Sequence, residues 1–165
     1  MSFISVSIKN SRRPLLLDEV DSSILERAKW RLAHNRGKPS SVCGWIRGSG
    51  KNESIHRLIL NCPPGLVVDH INGDVCDNRR ENLRICTISQ NSQNIRNRTL
   101  KKHKGVSFRK RYKSKPWVVS VSCGGKVVYV DFFETEIGAA YAHDIAVKAW
   151  HGEFAVCNFL SNGGN

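Results

Sequence analysis

One stretch of this chain gathers the side chains that carry acid–base and metal chemistry. It reads Val67-Val68-Asp69-His70-Ile71-Asn72-Gly73-Asp74, then Cys76-Asp77-Asn78-Arg79-Arg80-Glu81-Asn82-Leu83-Arg84-Ile85-Cys86-Thr87-Ile88-Ser89-Gln90-Asn91. Asp69, His70 and Asn91 together suit one-metal hydrolysis of a phosphodiester. That reaction needs a hard cation on the phosphate, held by oxygen donors such as a carboxylate and an amide carbonyl. It needs a base that takes a proton from water, and histidine titrates nearest neutrality. It also needs a group that holds the imidazole in one tautomer, which an Asn carbonyl can do. Each residue alone has a plainer reading. Asp69 and Asn72 also suit turn capping, Asn82 suits loop backbone, and a lone His70 suits a structural role.

The elements expected to position these groups follow from the flanking pattern. Val67-Val68 leads as a short strand into Asp69-His70, Asn72-Gly73 signals a turn, and Leu83 to Cys86 forms the returning strand. Thr87 with Gln90 makes a capping box that starts a helix and sets Asn91 on its first turns. Strand, turn, strand and helix are expected to bring Asp69, His70 and Asn91 within reach of one point. Asp74, Asp77, Asn78 and Arg79 are expected to shape the loop between the strands, with Arg79 or Arg84 in reach of phosphate.

This segment resembles the HNH endonucleases of the phage and intron type, whose core reads D-H-I-N-G-D…D-N-R…N-L-R…T…N. The resemblance covers residues 55–98, with His56-Arg57-Leu58 as its lead-in. It implies a ββα-metal fold with His70 as the general base. It also implies Asn82, twelve residues on, as the residue that orients that base, and Asp69 with Asn91 as the metal ligands. Asn91 stands where many relatives have His, which suits Mg²⁺ or Mn²⁺, one ion per site, better than zinc or nickel. His56, His103, His143 and His151 lack such company and are read as structural or exposed.

The C-terminal third has the clearest pattern. Val106-Ser107-Phe108, Trp117 to Ser122 and Val127 to Phe133 read as strands, with Gly124-Gly125 closing a hairpin. A helix follows from about Glu136 to Trp150, with Thr135 as N-cap and Gly152 as stop. Its apolar residues Ile137, Ala140, Tyr141, Ile145 and Ala149 recur at helical spacing. The strand parity assigns Val106, Phe108, Trp117, Val119, Val121, Val128, Val130 and Phe132 to the helix-facing side. Ser107, Arg109, Val118, Ser120, Ser122, Val127, Tyr129 and Asp131 are expected on the other, mostly polar side. The module resembles the APETALA2/ethylene-response-factor DNA-binding domain. The residues that carry the likeness are Lys104-Gly105-Val106-Ser107, Trp117 to Val121, Phe133-Glu134-Thr135 with Ala139-Ala140-Tyr141-Ala142, and Gly152 to Phe159. The resemblance implies a sheet laid in the major groove, with contacts from Lys104, Ser107, Arg109, Ser120, Ser122 and Tyr129. Several positions that are Arg or Trp in the plant pattern are Ser, Val or Tyr here, so the plant target sequence does not carry over.

The first third is less patterned. Residues 1–8 alternate like a strand, Leu15-Leu16-Leu17 with Val20 suggests another, Ser22 to Leu32 reads as a short helix, and Ser54 to Leu60 as an ordered element. The whole chain is therefore expected to be α+β. An HNH nuclease domain over 1–98, a basic linker over 99–104 and an APETALA2-like domain over 105–165 complete that reading.

Charge and composition name the partner class. The 165 residues hold 26 Lys and Arg against 14 Asp and Glu, a formal charge of +12 spread over all three parts. Such a surplus points to a polyanionic partner, nucleic acid first and anionic membrane second, and the two resemblances imply double-stranded DNA. Arg96 to Lys115 carries ten basic residues and no acid. Lys101, Lys102, Lys104, Arg109 and Arg111 within it are read as backbone contacts. No apolar run is long enough for a membrane span, and the N-terminus lacks a signal peptide's apolar core. The six scattered cysteines read as reduced and mostly buried. Together with the two resemblances, which imply a site-directed DNA endonuclease, these features lead to the expectation of a cytoplasmic enzyme without a small-molecule cofactor, monomeric unless it dimerises to cut both strands. The resemblance adds the role of a phage or mobile-element homing enzyme. A DNA-binding regulator with an inactive HNH core, or a non-specific basic nucleic-acid binder, would share most of the composition.

Overall fold

The computed structural model describes residues 2–94 and 103–159. It is a mixed α/β chain of several small antiparallel sheets and few helices, in two compact units, residues 1–88 and 89–165. The expected linker residues Lys101 and Lys102, with Arg96 and Arg98, lie outside the described residues.

In the first unit β1 (Phe3–Val6) pairs antiparallel with β2 (Leu15–Asp18). A 3-10 turn spans Glu19–Arg27. Then β3 (Arg31–Asn35), β4 (Lys38–Trp45) and β5 (Asn52–Ser54) form an antiparallel sheet, followed by α1 (Ile55–Ile59). The helix expected over Ser22 to Leu32 is met as far as Arg27, in 3-10 form, and is corrected beyond it. Ala28, Trp30 and Leu32 are all buried, a period of two, so this end of the segment runs extended into β3. Arg36 and Gly37 both have positive φ, 50° and 75°, and turn β3 into β4 over two residues. Gly44 lies against the core: a Cβ there would sit 2.8 Å from that of Ala28. Leu15, Leu17, Val42, Ile55 and Ile59 are the most deeply buried side chains of this core, joined by Trp30, Leu32, Val68 and Leu83.

Next comes the two-stranded sheet of β6 (Val67–His70) and β7 (Leu83–Cys86), paired antiparallel as the sequence suggested. The helix α2 (Ile88–Gln93) begins directly after Thr87. The N-terminal segment buttresses the loop between β6 and β7. Asn78 N–H donates to the Leu16 carbonyl and Leu16 N–H to the Cys76 carbonyl, both at 2.8 Å. Asp18 accepts from the Arg80 backbone N–H, and Asp21 takes the Arg80 guanidinium at 2.7 and 2.8 Å.

The second unit carries β8 (Val106–Phe108), β9 (Trp117–Cys123), β10 (Lys126–Phe133) and α3 (Glu136–His151), with the sheet ordered β10-β9-β8. Gly124 and Gly125, at φ 59° and 76°, close the hairpin. Thr135 Oγ1 accepts from the Gly138 N–H as N-cap, and Gly152 ends α3 at φ 55°.

Two details differ from the pattern read in the sequence. A bulge between Val127 and Tyr129 shifts β10 by one residue, so Tyr129 pairs with Val121 and Val130 with Ser120. Paired residues share a face. Tyr129 therefore lies on the helix side, and Val130 and Phe132 lie with Ser120 and Val118. The core stripe of α3 also differs. Ile137, Tyr141 and Ile145 are 56, 47 and 66 % exposed. The buried side is Ala139, Ala140, His143, Asp144, Ala146 and Val147, because small residues let the helix approach the sheet closely. Trp117 is half-buried and meets Phe108 edge-on at 5.1 Å.

Candidate active site

β6 and β7 hold the chemical residues by register. Asp69 pairs with Arg84 and His70 with Leu83, and neighbours along a strand project to opposite faces. Asp69 and His70 thus leave β6 on opposite sides. On one side Arg84 grips Asp69 Oδ2 through Nε and Nη2, at 2.9 and 2.8 Å, with both side chains largely buried. On the other, His70 meets Asn78 and His56.

The Asn78 contact fixes the tautomer of His70. Asn78 is fully buried, and its Nδ2 donates to the Val75 carbonyl at 3.0 Å. Its oxygen consequently faces His70 Nε2 at 3.3 Å, so Nε2 carries the hydrogen and donates, and the basic lone pair belongs to Nδ1. Burial holds the His70 pKa below its ordinary 6.5, opposed by the Asn78 hydrogen bond and by the charges of Asp69, Asp74 and Asp77. A neutral imidazole at neutral pH is what a general base requires.

Asn82, expected to orient His70, has its side chain engaged with the loop. Its Oδ1 accepts from the Asn72 N–H at 2.9 Å, and its Nδ2 donates to the Asp77 carbonyl at 2.7 Å. Its own carbonyl accepts from the Ile71 N–H at 2.9 Å. Asn82 thereby fixes the chain immediately after His70. Asp77 completes the loop: it receives Arg79 Nε and Nη2, both at 2.8 Å, and Asn72 Nδ2 at 2.9 Å. The Arg79 guanidinium holds the Asp77 carboxyl below the usual carboxylate range. Asp74 is joined to Arg13 from the N-terminal segment.

His56, set aside in the sequence as structural or exposed, stands edge-on to His70, with ring centroids 5.2 Å apart. It is buried on α1, and its Nδ1 finds no hydrogen-bond partner among the described residues. Burial, then the neighbouring His70 and Arg57, lowers its pKa to about 3. Arg57 donates to the carbonyls of Cys62, Pro63 and Leu66 at 3.1, 3.2 and 2.7 Å, closing the turn that delivers the chain into β6. The lead-in His-Arg-Leu thus has two tasks visible in the fold. Asn78 was the residue sequence reasoning missed at His70. Its signal was an Asn in an inter-strand loop flanked by an Asp and an Arg that pair with each other.

This loop, strand and histidine arrangement is where a family likeness falls. Residues 61–93 match HNH_3, the HNH endonuclease family. The HNH match supports a nuclease and implies DNA as its substrate. It takes in Asp69, His70, Asn78, Asn82 and Asn91 and ends before β8. No curated protein and no solved structure matches the chain.

Among the described residues no group of three or more His, Cys, Asp and Glu is gathered to hold an ion. One carboxylate, completed by amide, water and phosphate oxygens, has the donor chemistry of Mg²⁺ or Mn²⁺. Asn91 stands on α2, and all six cysteines are free thiols. No helix among the described residues is long and apolar enough to cross a membrane.

In the second unit the expected contact residues are distributed unevenly. Ser107, Ser120 and Ser122 share the face away from α3, together with Val118, Val130 and Phe132. Arg109 is exposed, and Arg111 stacks over the Tyr112 ring at 4.7 Å. Lys104 Nζ donates to the Gln93 carbonyl at 2.6 Å. Tyr129 donates to Asp131 at 3.2 Å on the opposite face.

Proposed function

We propose that the chain is a metal-dependent DNA endonuclease in which His70 is the general base. The observation that carries this reading is the neutral, Asn78-fixed His70 at the end of β6, within the stretch that matches the HNH family. His70 Nδ1 accepts the proton of the attacking water, while Nε2–H stays on Asn78 Oδ1 and keeps the ring from turning. Asn82 and Asp77 hold the loop that holds Asn78 and the chain after His70. His56 excludes water from one edge of the base. Asp69, with Asn91 assigned by its spacing in the sequence, would hold a Mg²⁺ or Mn²⁺ ion that stabilises charge on the scissile phosphate and its leaving oxygen.

The second unit is proposed as the DNA-positioning module, of APETALA2-like type. Ser107, Ser120 and Ser122 are on the groove-facing side of its sheet, with Arg109 and Arg111 beside the phosphates. Tyr129 is not part of that face. A phage or mobile-element homing role accompanies this pairing. One observation favours the rival reading of a DNA-binding protein with a silent core: Arg84 already occupies Asp69 Oδ2. Supercoiled plasmid incubated with the protein and Mg²⁺ should convert to open-circle or linear DNA, and EDTA should abolish the conversion. Intact plasmid together with a retained gel shift would favour the rival.

A further inference from the structure

The first unit divides its charges unequally. Around the β6–β7 loop every arginine is engaged. Arg13, Arg79, Arg80 and Arg84 pair with Asp74, Asp77, Asp21 and Asp69, and Arg57 serves three carbonyls. Residues 27–52 are the reverse. They carry Arg27, Lys29, Arg31, Arg36, Lys38, Arg47 and Lys51, and no acid. All seven are exposed, and none makes an ion pair among the described residues. This stretch builds β3, β4 and the loop into β5.

The sheet places these cations at both ends and along one edge. Arg47 N–H donates to the Arg27 carbonyl at 2.9 Å and Ile46 N–H to the Lys51 carbonyl at 2.8 Å, which brings Arg27, Arg47 and Lys51 to one end. The two-residue turn at Arg36-Gly37 presents Arg36 and Lys38, next to exposed His34, at the other end. Arg31 lies between them on β3, across from Cys43. Trp45, on the same face as Cys43, is 62 % exposed. The eight residues of β4 run roughly 26 Å at ~3.3 Å each. Over that length duplex DNA presents a phosphate charge about every 1.7 Å of its axis.

We infer that the β3–β4–β5 sheet is a phosphate-backbone docking surface for duplex DNA, separate from the contacts assigned to the second unit. Unpaired surface cations repel one another, and a fold that pairs every arginine around its catalytic loop leaves these seven uncompensated. A polyanion supplies the missing charge, and counterion release drives its binding. The contacts are to phosphate, so this surface adds affinity and register and reads no sequence.

The inference rests on the reading of the chain as a DNA enzyme, and its test separates the two. The full-length protein with Arg31, Arg36, Arg47 and Lys51 all changed to Gln is compared with wild type for binding a fluorescent duplex over a series of salt concentrations. A second variant carries Lys at the three arginines and keeps Lys51. The Gln variant should bind at least tenfold more weakly near 0.1 M salt. Its plot of log affinity against log salt should be shallower by about 0.9 for each phosphate that it no longer neutralises. The Lys variant should bind as wild type does. Equal affinity and slope in the Gln variant, with wild type binding and cutting normally, would overturn the docking surface and leave the nuclease reading intact. Loss of binding in both variants alike would overturn it too, since charge would not be what matters. Failure of wild type to bind duplex DNA at all would overturn both.

Discussion

At the scale of single residues, the account turns on two neighbours that leave one strand in opposite directions. His70 is neutral and aimed by Asn78, and Asp69 is gripped by Arg84. Removing a buried, hydrogen-bonded amide that fixes a base should act on catalysis more than on binding. Asn78→Ala should lower the cleavage rate by at least tenfold with the gel-shift affinity unchanged, measured under single turnover. Arg84→Ala leaves the Asp69 carboxylate without its cation, and breaking such a largely buried pair costs about 3 kcal/mol. The thermal midpoint should fall accordingly. If Asp69 is a metal ligand, Mg²⁺ should then recover more stability in Arg84→Ala than in wild type, because Arg84 no longer competes for the carboxylate. Equal Mg²⁺ response in both proteins would remove Asp69 from the metal site.

Among elements, local signals were legible wherever the pattern was short-range. The β6–β7 pair, the Gly124-Gly125 hairpin and the Thr135 to Gly152 limits of α3 all follow from turn and cap chemistry acting within a few residues. What escaped depended on tertiary partners. The bulge after Val127 moves Tyr129 to the helix side, and nothing in the alternation of Val127 to Phe133 announces it. The buried stripe of α3 is small and polar, since Asp144 accepts the Asn158 and Phe159 N–H groups at 2.7 and 2.8 Å and so pins the segment after α3. Asn158 closes the circuit by accepting the Lys104 N–H at 2.7 Å. The same packing explains the glycine of Lys104-Gly105-Val106. Gly105 has φ 72°, and a Cβ there would lie 2.1 Å from the His143 ring. Gly105→Ala should therefore destabilise the second unit by more than about 1 kcal/mol, read as a lower denaturation midpoint. In the active site, Asp69 and His70 stood out by type. Asn78 did not, because its role exists only once the loop folds back over β6.

For the whole molecule, acid should loosen the first unit through its paired imidazoles. His56 has a folded pKa of about 3 against an ordinary 6.5. Above pH 6.5 it is neutral in both states and contributes no pH dependence. Between 6.5 and 3 the unfolded chain takes up a proton that the folded chain refuses, so stability falls by up to ~1.4 kcal/mol for each pH unit. Below 3 the loss levels off. Urea midpoints at pH 7 and 4.5 should show this fall, and His56→Phe should reduce it; an unchanged difference would contradict the burial argument. The central claim is that His70 is the base of a DNA-cutting centre. Its most direct test is the single-turnover rate of plasmid cleavage in Mg²⁺ by wild type and His70→Ala, with duplex binding measured alongside. Loss of a general base predicts a rate lower by about 10² to 10⁴ with binding preserved. Cleavage by His70→Ala at the wild-type rate would contradict the account.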